Sequence, residues 1–243
     1  MTSSRESGVT LIEVLIAVTL VSLLSTGILM AIRIGLLSME KANTRLMANR
    51  RVAGAHRILE QQIAGFMPVA AECMPAPGQR VRIRFFQGEP GAMRFVSSHS
   101  IQEASRGIPQ VLEFVVIPGQ DGAGVRLVVN EHPYAHPGAA GAFCLGVTPD
   151  PALGVALPRF PPIQTGPFSF VLADRLAFCR FIFRENLPVP PFERWVPRWI
   201  KPEWPAAVRI EMAPLLPDPS RLQMMTVTAP LRARKDPLIQ YAQ

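Results

Sequence analysis

Few residues in this chain are placed to do chemistry. Glu13 stands out: it is a carboxylate inside Gly8–Ile32, GVTLIEVLIAVTLVSLLSTGILMAI, and Val14–Ile32 carries no charge at all. A charge at the centre of a membrane helix costs about 2.5–3.5 kcal/mol on insertion scales, so Glu13 needs a counter-charge or a position shallow enough to reach water. His132 and His136, with Glu131 and Cys144 nearby, raise the question of a metal. Pro133 and Pro137 prevent the regular helix that would bring both rings to one face, so a polar loop is expected and no metal. Asp121, Asn130 and Glu131 lack the spacing of a calcium-binding EF-hand, and Asp121-Gly122 reads as a turn. No Walker loop, G-x-S-x-G or H-E-x-x-H is present. No catalytic residue is assigned, no cofactor is expected, and the chain is read as non-enzymatic.

The elements around Glu13 follow from hydropathy. A hydrocarbon core of about 30 Å needs roughly 20 apolar helical residues, which this run supplies. A short polar leader, MTSSRES, precedes Gly8, and no secretory cleavage site of the A-x-A kind follows Ile32. Thr19, Ser22 and Thr26 fall at helical spacing; they make either a face for close approach by neighbouring helices or hydroxyls bonded back to their own helix. Gly27 and Gly35 are soft points. No proline appears until Pro68, and Val52, Ala55, Leu59, Ile63 and Phe66 recur every three or four residues. One helix from about Thr10 to Gly65, roughly 85 Å long, is therefore expected, apolar all round at first and amphipathic later.

Beyond Pro68 the pattern changes to short extended runs separated by proline and glycine. Val81–Phe86 alternates, Val111–Ile117 and Val125–Val129 flank a Gly-rich turn as a hairpin, and Phe168–Leu172, Leu176–Phe183, Val208–Met212 and Leu222–Thr228 are further strands. The expected fold class is α+β, a long N-terminal helix packed on antiparallel β-sheet. Cys73, Cys144 and Cys179 allow one disulfide and one free thiol in an oxidising compartment; the sequence does not choose the pair. Cys144 with Cys179 is preferred, with three buried thiols as the alternative. Pro188–Pro205 carries Trp195, Trp199 and Trp204, either as an exposed docking surface or folded back to cap the sheet. The second is favoured.

The order of polar leader, glycine, apolar run and an acid five residues past the glycine resembles the N-terminus of type IV prepilins and pseudopilins. Thr10, Leu11, Ile12, Glu13 and Val14 match that family's TLIEV, while Val9 stands where the family usually has Phe. The resemblance implies a pilin-like fold, cleavage between Gly8 and Val9 by a prepilin peptidase, and N-methylation of Val9. It also implies assembly in which Glu13 pairs with the terminal amine of a neighbouring subunit, so that two desolvated charges compensate each other. Further on, LADRLAFCRFIFRE with Phe178 and Phe181, then Trp204-Pro205 and Val208-Arg209-Ile210, are similar in order to the J-type minor pseudopilins of type II secretion.

On this reading the chain divides into a leader (1–8), a transmembrane helix (9–32), its amphipathic continuation (33–67), a periplasmic β domain (68–230) and a polar tail (231–243). The expected partners are other pseudopilins or pilins, a prepilin peptidase and the bacterial inner membrane. Nucleic acid is not expected: the net charge is +7, but the basic residues are scattered and no aromatic platform interleaves with them. Positive-inside counting of Arg33, Lys41, Arg45, Arg50 and Arg51 favours the opposite orientation. It is outweighed because leaders of this kind are processed on the cytoplasmic side and large domains translocate regardless of charge. A minor pilin of a type IV pilus or DNA-uptake filament is the alternative, and a membrane-anchored periplasmic binding protein or enzyme a more distant one.

Overall fold

The computed structural model describes residues 9–76, 78–101, 105–120, 122–150, 154–216, 226–232 and 236–238. The chain separates into two units, Met1–Ala48 and Asn49–Gln243. Helix α1, Leu11–Ala64, supplies the first unit and the opening of the second. Its length follows from the absence of proline before Pro68 and from the Ala, Leu, Met, Arg and Glu that fill it.

In the second unit α1 buries the stripe expected from its spacing: Ala55, Leu59 and Ile63, with Phe66 beyond the helix end. Gly65 ends the helix where the chain runs hard against the sheet. A Cβ there would stand 2.4 Å from the His99 ring and 2.6 Å from Ser97 Oγ, so any larger residue would have to displace both side chains.

The strands are β1 (Phe66–Met67), β2 (Ala70–Ala76), β3 (Gln79–Arg84), β4 (Gln87–Glu89), β5 (Ala92–Ser100), β6 (Ser105–Pro118) and β7 (Val125–Pro133). After helix α2 (Pro137–Gly141) come β8 (Gly146–Asp150), β9 (Val155–Arg159), β10 (Phe170–Asn186), β11 (Glu193–Val196), β12 (Ala207–Pro214) and β13 (Thr226–Pro230). Nine of them form one antiparallel sheet in the order β1-β5-β6-β7-β10-β12-β13, with β4 added to β5 and β11 to β10; β2-β3 and β8-β9 are separate hairpins. The α+β class and the β6-β7 hairpin are as the sequence predicts, in the register Pro118↔Val125 to Gln110↔Pro133. Asp121 of the expected turn lies outside the described residues, as do 222–225 of the last strand candidate.

Three expectations are corrected. Phe168–Leu172 and Leu176–Phe183 are not two strands but the single β10, which pairs with β7 in its first half and with β12 in its second. The change of partner falls at a bulge where Arg175 takes φ 55° and the Asp174 carboxylate accepts from the Arg175 N–H. The disulfide is Cys73–Cys144, not Cys144–Cys179: β2 and the segment after α2 bring those Cα atoms to 5.5 Å, whereas Cys179 is buried as a free thiol in the main core. Burial pushes the Cys179 thiol up to about 12. Nor is the C-terminal tail wholly solvated, since Leu231 is buried and Asp236 pairs with Arg84.

The centre of the sheet is covered on both faces. Beneath α1 lie Met93, Phe95, Leu112, Phe114, Phe181 and Phe183, with Phe95 and Phe114 stacked 5.8 Å apart. Behind them Val96 and Val111 pack with Cys73, Ile83, Phe85 and Ala140. Double coverage explains why β5 is buried at five successive residues rather than alternating.

Candidate functional site

The N-terminal site is built from very few groups. Thr10 O accepts from the Glu13 N–H at 3.0 Å and from Val14 at 3.3 Å, which starts α1 and places Glu13 in its first turn. Thr10 and Glu13 thus stand at N-cap and N3, the spacing of a capping box, a signal present in the sequence that the hydropathy reading passes over. A carboxylate in a first turn gains about 0.3–1 kcal/mol from the helix dipole. That is well below the cost of placing a charge in hydrocarbon, so the local role does not by itself account for Glu13. Gly8 lies outside the described residues; Val9 is exposed.

Around Glu13 the helix presents apolar side chains in every direction. Leu11, Ile12, Val14, Leu15, Ile16 and Val18 are all more than half exposed or close to it. The mean hydropathy of the best window is 2.4, none of it is buried, and α1 alone among the described residues is long and apolar enough to cross a membrane. A core helix of a soluble protein would be covered; this one is compatible with a membrane anchor. Thr19, Ser22 and Thr26 each donate at 2.8 Å to a carbonyl of their own helix, the second of the two readings of those residues.

The histidines separate into unrelated roles. His132 Nε2 lies 3.1 Å from Glu113 Oε2, and His136 Nδ1 accepts from the Gly138 N–H at the start of α2. Asn130 Oδ1 accepts from Ser169 Oγ, and Glu131 Oε2 from Ser100 Oγ.

A buried charge pair was not anticipated. Arg94, 1% exposed, donates through Nε to Glu113 Oε1 at 2.7 Å, through Nη1 to Gln87, and through Nη2 to Pro161 O at 3.2 Å. The Phe143 and Phe160 rings lie 5.6 and 5.4 Å from its guanidinium. Burial pulls the Arg94 pKa below its ordinary value, opposed by Glu113. Asn130 completes the set, donating to Glu113 Oε2 and to Gln164 O. The network fastens the segment between α2 and β10 to the sheet; its sequence signal is one charge interrupting each of two apolar strands, MRFV and LEFV.

The tryptophan segment folds back, as favoured. Trp199 and Trp204 pack against the main core, and Trp195 lies under Arg209 at 3.9 Å. Gly88 admits Trp199: a Cβ there would meet Trp199 Cβ at 2.8 Å and Phe183 at 2.9 Å. Glu185, buried at the foot of this segment, accepts from Lys201 and from Arg194, which hold its carboxyl below the usual carboxylate range. A depressed folded value stabilises above the unfolded pKa and is lost as the pH falls through the folded one. Glu185→Gln is therefore expected to lower stability by about 1 kcal/mol at pH 7, both cations being solvent-exposed. That difference should begin to shrink as the pH falls below the ordinary glutamate value of about 4.3 and disappear once it is below the lowered folded value, read as urea midpoints of variant and parent across pH.

A family comparison bears on the N-terminus. The prokaryotic N-terminal methylation motif matches residues 3–29. No curated protein matches the chain. The methylation motif, the apolar helix it opens and the antiparallel sheet that follows fit a type IV pilin-like protein, one processed by a prepilin peptidase and assembled into filaments.

Proposed function

We propose that this chain is a minor pseudopilin, of the J type, in the periplasmic pseudopilus of a type II protein secretion system: a non-enzymatic structural subunit held in the inner membrane by α1. The observation that carries the reading is the methylation motif running directly into a helix whose apolar side chains are uncovered on all sides. Cleavage between Gly8 and Val9 frees an amine on Val9, which is then methylated. Glu13 of one subunit neutralises the amine of the next, and the bundled membrane helices carry the β domains into lateral contact.

The Cys73–Cys144 disulfide supports a periplasmic domain, because such bonds persist in oxidising compartments and are rare in the cytosol. It adds a physical reason to set aside the positive-inside count. A minor pilin of a type IV pilus or DNA-uptake filament fits the same motif equally well.

Mass spectrometry of the protein isolated from its native membrane tests the reading. The expected mature chain begins at Val9 and carries one methyl group; an intact Met1–Gly8 leader in an active strain overturns it. Deletion separates the two systems: loss of secreted enzymes marks a pseudopilus, and loss of twitching or transformation marks a pilus.

A further inference from the structure

The hairpin between β10 and β11 ends in an apolar tip. Residues 187–192, LPVPPF, include no charged or polar side chain, and Pro188 to Phe192 are all exposed, Val189 and Phe192 at 62% each. The tryptophans that follow fold onto the core, whereas these five residues stay in solvent. The tip is held in one shape. The Leu187 N–H donates to Phe192 O at 2.7 Å and the Phe192 N–H to Val189 O at 2.9 Å, and three prolines fix their own φ. An apolar patch already ordered loses little entropy when something covers it.

Its backbone indicates what covers it. Pro188, Pro190 and Pro191 have no N–H, and those of Leu187 and Phe192 are bonded, so only the Val189 N–H is without a partner among the described residues. A backbone stripped of free donors loses little on leaving water for the acyl boundary of a bilayer. A partner strand that reads main chain would find almost no donor to pair with. The carbonyls of Pro188, Pro190 and Pro191 have no partner among the described residues and still need water. They limit the tip to the interfacial layer, about 5–10 Å deep, and keep it out of the hydrocarbon core. Charge points the same way: Arg184 pairs with Glu193 at 3.3 Å, and Arg194 and Lys201 pair with Glu185. With those charges matched inside the domain, the tip presents apolar surface and no cationic claw for an acidic ligand.

We propose that the β10–β11 tip is a membrane contact: Val189, Pro190, Pro191 and Phe192 enter the interfacial layer of a phospholipid bilayer by apolar burial, without need of anionic headgroups. This rests on the reading of α1 as a membrane anchor, which keeps a bilayer at high local concentration. A single apolar tip binds lipid weakly and reversibly by itself. Joined to an anchor, it sets the β domain against the lipid surface.

The test uses the full chain in phosphatidylcholine vesicles, spin-labelled through Val189→Cys or, in separate samples, Leu23→Cys or Arg80→Cys. Cys179 is buried and Cys73 and Cys144 are bonded to each other, so none of them competes for the label. Electron paramagnetic resonance compares collisions with oxygen, which concentrates in lipid, and with a water-soluble nickel chelate. The oxygen-to-nickel ratio at position 189 is expected to be at least about fivefold that at the exposed position 80, and unchanged when phosphatidylglycerol is added to the vesicles. Phe192→Asn removes the ring while asparagine tolerates the local φ of 59°. It should bring the ratio at 189 to within about twofold of that at 80. Free access of nickel to position 189 overturns the proposal. So does shielding from both probes, which means a protein pocket, a ratio that Phe192→Asn leaves unchanged, or one that needs phosphatidylglycerol. The label at position 23 reads α1 separately: nickel access there overturns the anchor, whereas failure at 189 with position 23 in lipid overturns the tip contact alone.

Discussion

Glu13→Ala is expected to leave the protein inserted in the membrane and cleaved, while its recovery in sheared filaments falls at least about tenfold. The variant removes a carboxylate from an apolar helix and so relieves a cost of about 2.5–3.5 kcal/mol. On insertion alone it should be better accommodated than the parent. Any loss must therefore come from a step at which the charge is useful, and the only such step in the proposed function is pairing with a neighbour's amine. A tenfold fall corresponds to about 1.4 kcal/mol, a modest share of what a desolvated ion pair contributes when one partner is deleted. Glu13→Gln separates charge from capping geometry, because glutamine also serves at N3 of a capping box yet cannot neutralise an amine. It should fail as alanine does. Immunoblots of membrane and filament fractions read both variants. Normal incorporation of either, with the cleaved N-terminus confirmed, removes the electrostatic account of assembly and leaves Glu13 a helix-capping residue.

How legible each part was depends on whether its cause is local. Helix α1 follows from composition and proline avoidance, and its buried stripe from three- and four-residue spacing, so Ala55, Leu59 and Ile63 could be named in advance. The β6-β7 hairpin was legible because its strands are joined by a short Gly-rich loop. β10 was not, because the break at Asp174-Arg175 looks like a turn in sequence, and only the partner strands on either side show that it is a bulge. The second covering layer escaped for the same reason. Nothing local in Ala70–Ala76, or around Phe143 and Phe160, says which face of which strand those residues will cover. At the N-terminus the exposed Glu13 carboxylate was evident as soon as its neighbours were read, whereas the Arg94–Glu113 pair joins two strands that each show a single charge.

The disulfide was one of the expectations that failed, and it also gives the largest stability effect. Cys144 and Cys179 are closer in sequence, but proximity in sequence does not decide pairing; the β2 strand and α2 bring Cys73 to Cys144 across 71 residues. Cross-linking a loop of that length removes about 15 cal/mol/K of chain entropy from the unfolded state, or about 4 kcal/mol at 25 °C. For a domain of this size that is roughly 8–16 °C in Tm. The Cys73→Ala/Cys144→Ala variant should show that loss in thermal unfolding followed by circular dichroism, and a parent produced in a reducing cytosol should approach it. Cys179→Ala is the control, since it leaves the cross-link intact and removes only one buried sulfur from the core. The bond ties the β2-β3 hairpin to the segment that carries Phe143, so its loss should loosen the layer behind Val96 and Val111 before the face beneath α1. Hydrogen exchange should then quicken first at β2 and β3, with β10 and β12 remaining protected. Uniform quickening would mean that the two faces unfold as one, and a Tm within a few degrees of the parent would mean that the hairpin is held by packing alone.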